Sequence, residues 1–148
     1  RRNFQGYTTD QAPVLIGLGV SSISRTPDGY VQNLSQERDW RAAVSAGGLP
    51  TARGVALDAH DAFVAAIIER LMCDFAVDVA EVAARLGCSA DSVAGAWSLL
   101  ARFVEDGLIE VDGRRLSVTP QGRPFVRAVC AAFDPTAVPA ANRHARVV

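Results

Sequence analysis

The chain contains no lysine; all 15 of its basic residues are arginine. Acidic residues number 16, the formal net charge is −1 and the pI is near 6.1. Such a balance offers no electrostatic lure to a polyanion. Cysteine is scarce. Cys73, Cys88 and Cys130 are odd in number and far apart, with no C-x-x-C or Cys/His spacing. That speaks against a zinc site and against a disulfide framework. Three scattered thiols fit a reducing, cytoplasmic compartment. No apolar run reaches about eighteen residues, so neither a membrane span nor a signal peptide is expected.

What is present suffices for a core. Hydrophobic residues make up 49% of the 148, against 21% charged, enough for one ordinary domain or a small one with an appendage. Residues 1–34 differ from the rest. Gly6, Gly17, Gly19, Gly29, Pro13 and Pro27 separate short apolar runs such as Val14-Leu15-Ile16. This is strand-and-loop composition. Alone it leaves strand edges unpaired, which calls for partner strands elsewhere. Residues 35–57 read as a helix with Ser35 as N-cap, ended by Gly47-Gly48, and then a linker.

The segment 58–134 carries stronger signals. Asp58 caps a helix along which Phe63, Ile67, Leu71 and Phe75 recur at helical spacing. Asp78 and Glu81 mark a second start, with Gly87 as its stop. Ser89 opens a third helix with Val93, Trp97, Leu100 and Val104 on one face. In LIEVDGRRLSV, two alternating runs flank Asp112-Gly113, a tight-hairpin signal. Thr119-Pro120 then opens a last helix lined by Phe125, Val126, Val129, Ala132 and Phe133. The fold class expected is mainly α with a small β-hairpin. Helix, helix, hairpin, helix over 78–133 is the order of a winged helix. Residues 135–148 read as a loose or docked tail.

A winged helix raises the possibility of DNA binding. The second helix of such a motif would enter the major groove, and here it spans 89–106. Its charges are Asp91, Arg102, Glu105 and Asp106, an acidic set with a single base-reading arginine. No nucleic-acid partner is therefore expected, and a packing or lid module is the plainer reading.

Several segments in order carry a resemblance. They are RNFQGYTT at 2–9, LIGLGVSSIS at 15–24, YVQN at 30–33, LP-x-x-RG-x-x-L at 49–57 and ERLMCDF at 69–75. Further on stand DGLIEVDG at 106–113, VTPQGRPFVR at 118–127 and C-x-x-FD at 130–134. Together they resemble the C-terminal part of the oxygen-independent coproporphyrinogen III oxidases, of the radical S-adenosylmethionine class.

The resemblance implies a fold and a reaction. The winged-helix-like domain would follow a strand-and-loop remnant of the radical barrel. Relatives of this kind decarboxylate propionates of coproporphyrinogen III to vinyl groups, using S-adenosylmethionine and a [4Fe-4S] cluster. The cluster is held by a C-x-x-x-C-x-x-C motif that this chain lacks, so no cluster ligand is assigned here. By the same resemblance Phe4, Gln5 and Ile23 would contact S-adenosylmethionine. The implied partners are coproporphyrinogen III and the upstream barrel of the same protein, and a monomer is expected. The chain alone would be inactive, serving as lid and pocket edge. Alternatives are a winged-helix module binding protein or DNA, and a haem-chaperone relative.

Without the resemblance each residue has a plainer role. Phe4 and Gln5 would be terminal, Ile23 a core residue of a short strand, and Tyr30 and Trp40 packing aromatics. His60 would be a solvated surface group and Cys73 a small buried hydrophobe. Arg25 and Arg53 are candidates for holding the porphyrinogen carboxylates, the alternative being that all such arginines lie upstream. The resemblance also has two departures. Val64-Ala65 replaces an arginine pair, and Pro135-Thr136 follows the FD near the end.

Overall fold

Two residues decide where the long central helix begins. Asp58 Oδ1 accepts from the Asp61 amide at 2.8 Å, and Asp61 Oδ2 accepts from the Asp58 amide at 3.1 Å. Each carboxylate satisfies a backbone donor that the first turn would leave orphaned. In the computed structural model, which describes residues 1–3 and 6–134, the helix so started is α2 (Ala59–Asp74). The chain divides into two compact units, Arg1–Ala62 and Phe63–Val148.

The first unit is made of strands around one helix. β1 (Arg2–Asn3) pairs antiparallel with β2 (Gly6–Tyr7). β3 (Ile23–Thr26), β4 (Gly29–Asn33) and β5 (Thr51–Ala56) form an antiparallel sheet in that order. A Cβ at Gly29 would lie 2.2 Å from the Val55 carbonyl oxygen, so only glycine fits where β3 turns into β4. Helix α1 (Glu37–Ser45) connects β4 to β5. Its N-cap is Gln36 rather than Ser35, and no side chain caps it. The stretch expected to be linker after Gly47-Gly48 is therefore largely strand, β5. Thr51, Arg53 and Val55 alternate with small residues there, a period-2 pattern hidden by flanking glycines. The chain is accordingly a mixed α/β structure, not mainly α.

The second unit holds the core. Along α2, Phe63, Ile67 and Leu71 each have no exposed surface. Spacing of four residues places them on one face. The helix stops at Asp74, and Phe75 takes φ 57, so its side chain leaves the helical row. β6 (Ala76–Asp78) follows. Asp78 Oδ1 caps α3 (Val79–Leu86) by accepting from the Glu81 amide at 3.0 Å, and Gly87 ends it at φ 67. A 3-10 turn (Ala90–Val93) leads into α4 (Ala94–Glu105), on which Ala96 and Leu100 are buried while Val104 faces solvent. β7 (Ile109–Asp112) and β8 (Arg115–Val118) form the expected hairpin. Its register makes Asp112 a strand residue opposite Arg115, so the turn is Gly113-Arg114, with Gly113 at φ 58. β6 joins the other edge of β8, giving the order β6-β8-β7.

The last helix starts later than Thr119-Pro120. Thr119 Oγ1 instead accepts from the Gly122 amide at 3.1 Å and closes a turn. A 3-10 turn (Arg123–Phe125) then precedes α5 (Val126–Ala131). Phe125 is 50% exposed and lies outside the core, which takes Val126, Val129, Cys130 and Phe133. Trp97 meets Phe133 edge to face at 6.1 Å between centroids. Each fully buried side chain of this size contributes about 1.5–3 kcal/mol. The expected tail at 135–148 lies outside the described residues.

Candidate functional site

The two units are finished to different degrees. In the first, Leu18 and Leu49 are each 88% exposed, and every residue of β5 is exposed. Among its described residues only Gly29 is buried.

The glycine-rich loop ahead of β3 is held against the sheet by polar bonds. A Cβ at Gly17 would lie 2.7 Å from the Ile23 carbonyl oxygen, so the loop backbone runs directly along the strand. Asn33 Nδ2 donates to the Gly19 carbonyl at 2.9 Å and to Ser22 Oγ at 3.0 Å. Ser22 Oγ donates to the Gly19 carbonyl at 2.7 Å. Leu15 exchanges backbone bonds with Arg25 at 2.8 and 2.9 Å. Ser21 sits at φ 59, a left-handed conformation rare for a residue with a Cβ.

Strand register sets what shares a face. Ile23 lies opposite Gln32, and Gln32 opposite Arg53. Arg25 lies opposite Tyr30, and Tyr30 opposite Val55. Directly opposed residues of antiparallel strands project to the same side. One face of the sheet therefore carries Ile23, Arg25, Tyr30, Gln32, Arg53 and Val55. Gln32 is fixed at both ends. Its Nε2 donates to the Ser21 carbonyl at 3.2 Å, and its Oε1 accepts from Arg53 Nε at 2.8 Å.

Of the three residues expected to meet a cofactor, Ile23 is half-buried on β3. Phe4 and Gln5 lie outside the described residues, between β1 and β2, which form a sheet separate from that of Ile23. Arg25 and Arg53 share the Ile23 face. Gln32 and Asn33 were not singled out by the sequence, where they stood only within YVQN. Two amides at a strand end beside a Gly-Ser loop were the available signal. Among the described residues no group of three or more His, Cys, Asp or Glu is placed to hold a metal ion. No helix among them is long and apolar enough to cross a membrane. Cys130 is buried, and Cys73 and Cys88 are half-buried.

In the second unit three arginines stand against carboxylates of the same unit. Arg114 of the hairpin turn bonds Asp91, Arg70 bonds Asp74 at 3.2 Å, and Arg102 approaches Asp106 at 3.8 Å. Arg123 lies 4.8 Å from the centroid of the Phe75 ring.

Residues 57–125 match the model of the HemN C-terminal domain. The whole chain is 43% identical to an oxygen-independent coproporphyrinogen III oxidase of Bradyrhizobium diazoefficiens, covering 33% of that protein. The corresponding oxidase of Pseudomonas aeruginosa is 38% identical over 97% of this chain and 31% of its own length. Among solved structures, the Escherichia coli enzyme described as coproporphyrinogen III oxidase (HemN), a radical SAM enzyme, superimposes with a TM-score of 0.85. It is 37% identical, over 90% of this chain and 31% of that one. The chain thus spans about a third of the length of the relatives it matches. It is similar along its own length to about a third of the length of oxygen-independent coproporphyrinogen III oxidases, and its residues 57–125 match their C-terminal domain.

Proposed function

We propose that the protein carrying this segment is an oxygen-independent coproporphyrinogen III oxidase, converting coproporphyrinogen III to protoporphyrinogen IX by oxidative decarboxylation. The observation that carries this is similarity along all 148 residues to enzymes so named, at 43% identity. In this reading the first unit is the trailing edge of the radical barrel. Its open β5 edge and its exposed Leu18 and Leu49 support that assignment, because they are surfaces that upstream structure would cover.

When bound, S-adenosylmethionine and a [4Fe-4S] cluster supply the radical that removes a propionate hydrogen. The described residues offer no ligand set for the cluster, which is assigned to upstream sequence. This chain's part is to wall and orient. Ile23 presents an apolar half-buried side chain to the pocket. Phe4 and Gln5 would contribute a flat wall and an amide able both to donate and to accept.

The second unit is read as a winged-helix-like lid. Excluding water from a radical site suppresses side reactions and strengthens the polar contacts inside. Arg114 of its hairpin and Arg102 of α4 stand against carboxylates of their own unit, which supports packing over phosphate binding. The enzyme is read as cytoplasmic and monomeric.

The test is anaerobic. Full-length protein, reconstituted with iron and sulfide and given S-adenosylmethionine and reductant, should form protoporphyrinogen IX from coproporphyrinogen III. Reductive cleavage of S-adenosylmethionine without any decarboxylation would refute the oxidase reading and favour a haem-chaperone relative.

A further inference from the structure

Three separate segments of the sequence meet at one side chain. Ser21 comes from LIGLGVSSIS, Gln32 from YVQN and Arg53 from the LP-x-x-RG segment. Ser21, held at φ 59, presents its carbonyl to Gln32 Nε2. That bond leaves Gln32 Oε1 facing Arg53 Nε, which donates to it at 2.8 Å.

The electrostatic consequence is specific. An arginine paired with a carboxylate is neutralised, as Arg41 is by Glu37 at 2.6 Å on α1. An arginine held by a neutral amide is oriented but keeps its full charge. Using Nε for the amide leaves the two terminal nitrogens of the exposed Arg53 available as a fork. That fork is the geometry that grips a carboxylate with two parallel hydrogen bonds. Arg53 and Arg25 form no ion pair among the described residues, and no acidic side chain stands on their face.

The remainder of that face is apolar or aromatic. Tyr30 and Val55 lie between and beside the two arginines, and Ile23 lies next to Gln32. Arg25 and Arg53 are two strands apart and two residues offset. Standard sheet spacings then put their Cα atoms roughly 12 Å from each other. A flat apolar floor with two separated positive charges complements an apolar ring system bearing several carboxylates.

We infer that Arg53, oriented by the Ser21–Gln32 relay, binds a propionate carboxylate of the tetrapyrrole substrate on the Ile23 face of this sheet, with Arg25 as the second cationic arm. The inference rests on the oxidase reading for the name of the substrate. The relay explains why a serine is kept in a left-handed conformation, since strain of this kind persists where the surroundings enforce it. Gln32 is a positioning residue, because it reaches the substrate only through Arg53.

Full-length wild type, Arg53→Gln, Arg53→Lys and Gln32→Leu proteins test this. Coproporphyrin III, the oxidised fluorescent form, and its uncharged tetramethyl ester are the probes. Losing a charge-assisted bond should raise Kd for the free acid, and KM for coproporphyrinogen III, about ten- to hundredfold in Arg53→Gln. Arg53→Lys should recover part of the affinity, and Gln32→Leu should fall between it and wild type. Ester binding should be the same in wild type and Arg53→Gln. An unchanged Kd for the acid, or equal losses for acid and ester, would overturn the inference. A wild type that binds coproporphyrin III through Arg53 yet turns nothing over would refute the oxidase reading and leave the carboxylate site standing.

Discussion

Replacing Gly122 by alanine should damage the second unit more than any other single methyl group added at a glycine there. The conformation is not the obstacle, since Gly122 has φ −79 and ψ −17, which alanine adopts freely. Space is the obstacle. A Cβ at Gly122 would stand 1.9 Å from the Leu108 carbonyl oxygen and 2.7 Å from its carbon. These are backbone atoms, so no rotamer change relieves the clash. The same oxygen accepts from the Thr119 amide at 3.0 Å and from Thr119 Oγ1 at 3.1 Å. Moving it loosens both bonds and shifts Ile109, which is buried in the core. Overpacking costs about 1–3 kcal/mol, and two weakened hydrogen bonds bring the total to roughly 2–6 kcal/mol. Against a domain stability of about 5–15 kcal/mol that is a large fraction. Gly95 in α4 is the control, because a Cβ there meets nothing within 4 Å. Alanine at Gly95 should stabilise by about 0.5–1 kcal/mol. Urea unfolding followed by Trp97 fluorescence, in a Trp40→Phe background, separates the units. A Gly122→Ala unfolding free energy within about 1 kcal/mol of wild type, or a Gly95→Ala loss, would refute the reasoning.

Other outcomes follow from single contacts. Asp78→Ala removes the cap on α3 and should cost about 1 kcal/mol, lowering the melting temperature of the second unit by about 4–8 °C. Arg114→Gln breaks the bond to Asp91, whose side chain is 75% exposed, and should change stability by less than about 1 kcal/mol despite the close approach. A larger change that persists in high salt would show the pair to be structural. The 148-residue chain alone, reconstituted with iron and sulfide, should form no protoporphyrinogen IX; any product by chromatography would place the chemistry in this segment.

The second unit was legible because its signals are local. An Asp before an apolar period, a Gly at a helix end and a Gly between alternating runs each act within a few residues. Asp58, Asp78 and Gly87 stand where those rules put them, and the hairpin follows LIEVDGRRLSV closely. Errors arose where two rules competed. Phe75 continued the spacing of Phe63, Ile67 and Leu71, yet the backbone turns left-handed there to begin β6. Phe125 shared a pattern with Val126 and Val129, but the turn closed by Thr119 leaves it outside the core.

The first unit hid its meaning for a different reason. Its important relations are between strands, and register is not written in any one strand. Arg53 is 21 residues from Gln32 along the chain, and their bond exists only because β5 pairs with β4 in this alignment. A slip of one residue would send Arg53 to the opposite face and put Gly54 or Ala52 beside Gln32. The bulge between Gln32 and Asn33 sharpens the point. It lets neighbouring amides do different work, Asn33 clasping the Gly-rich loop and Gln32 aiming the arginine. Resemblance to a family could name Ile23 as a pocket residue. Only the sheet puts Arg25 and Arg53 on the same face as Ile23, and with them a charge that nothing described on that face neutralises.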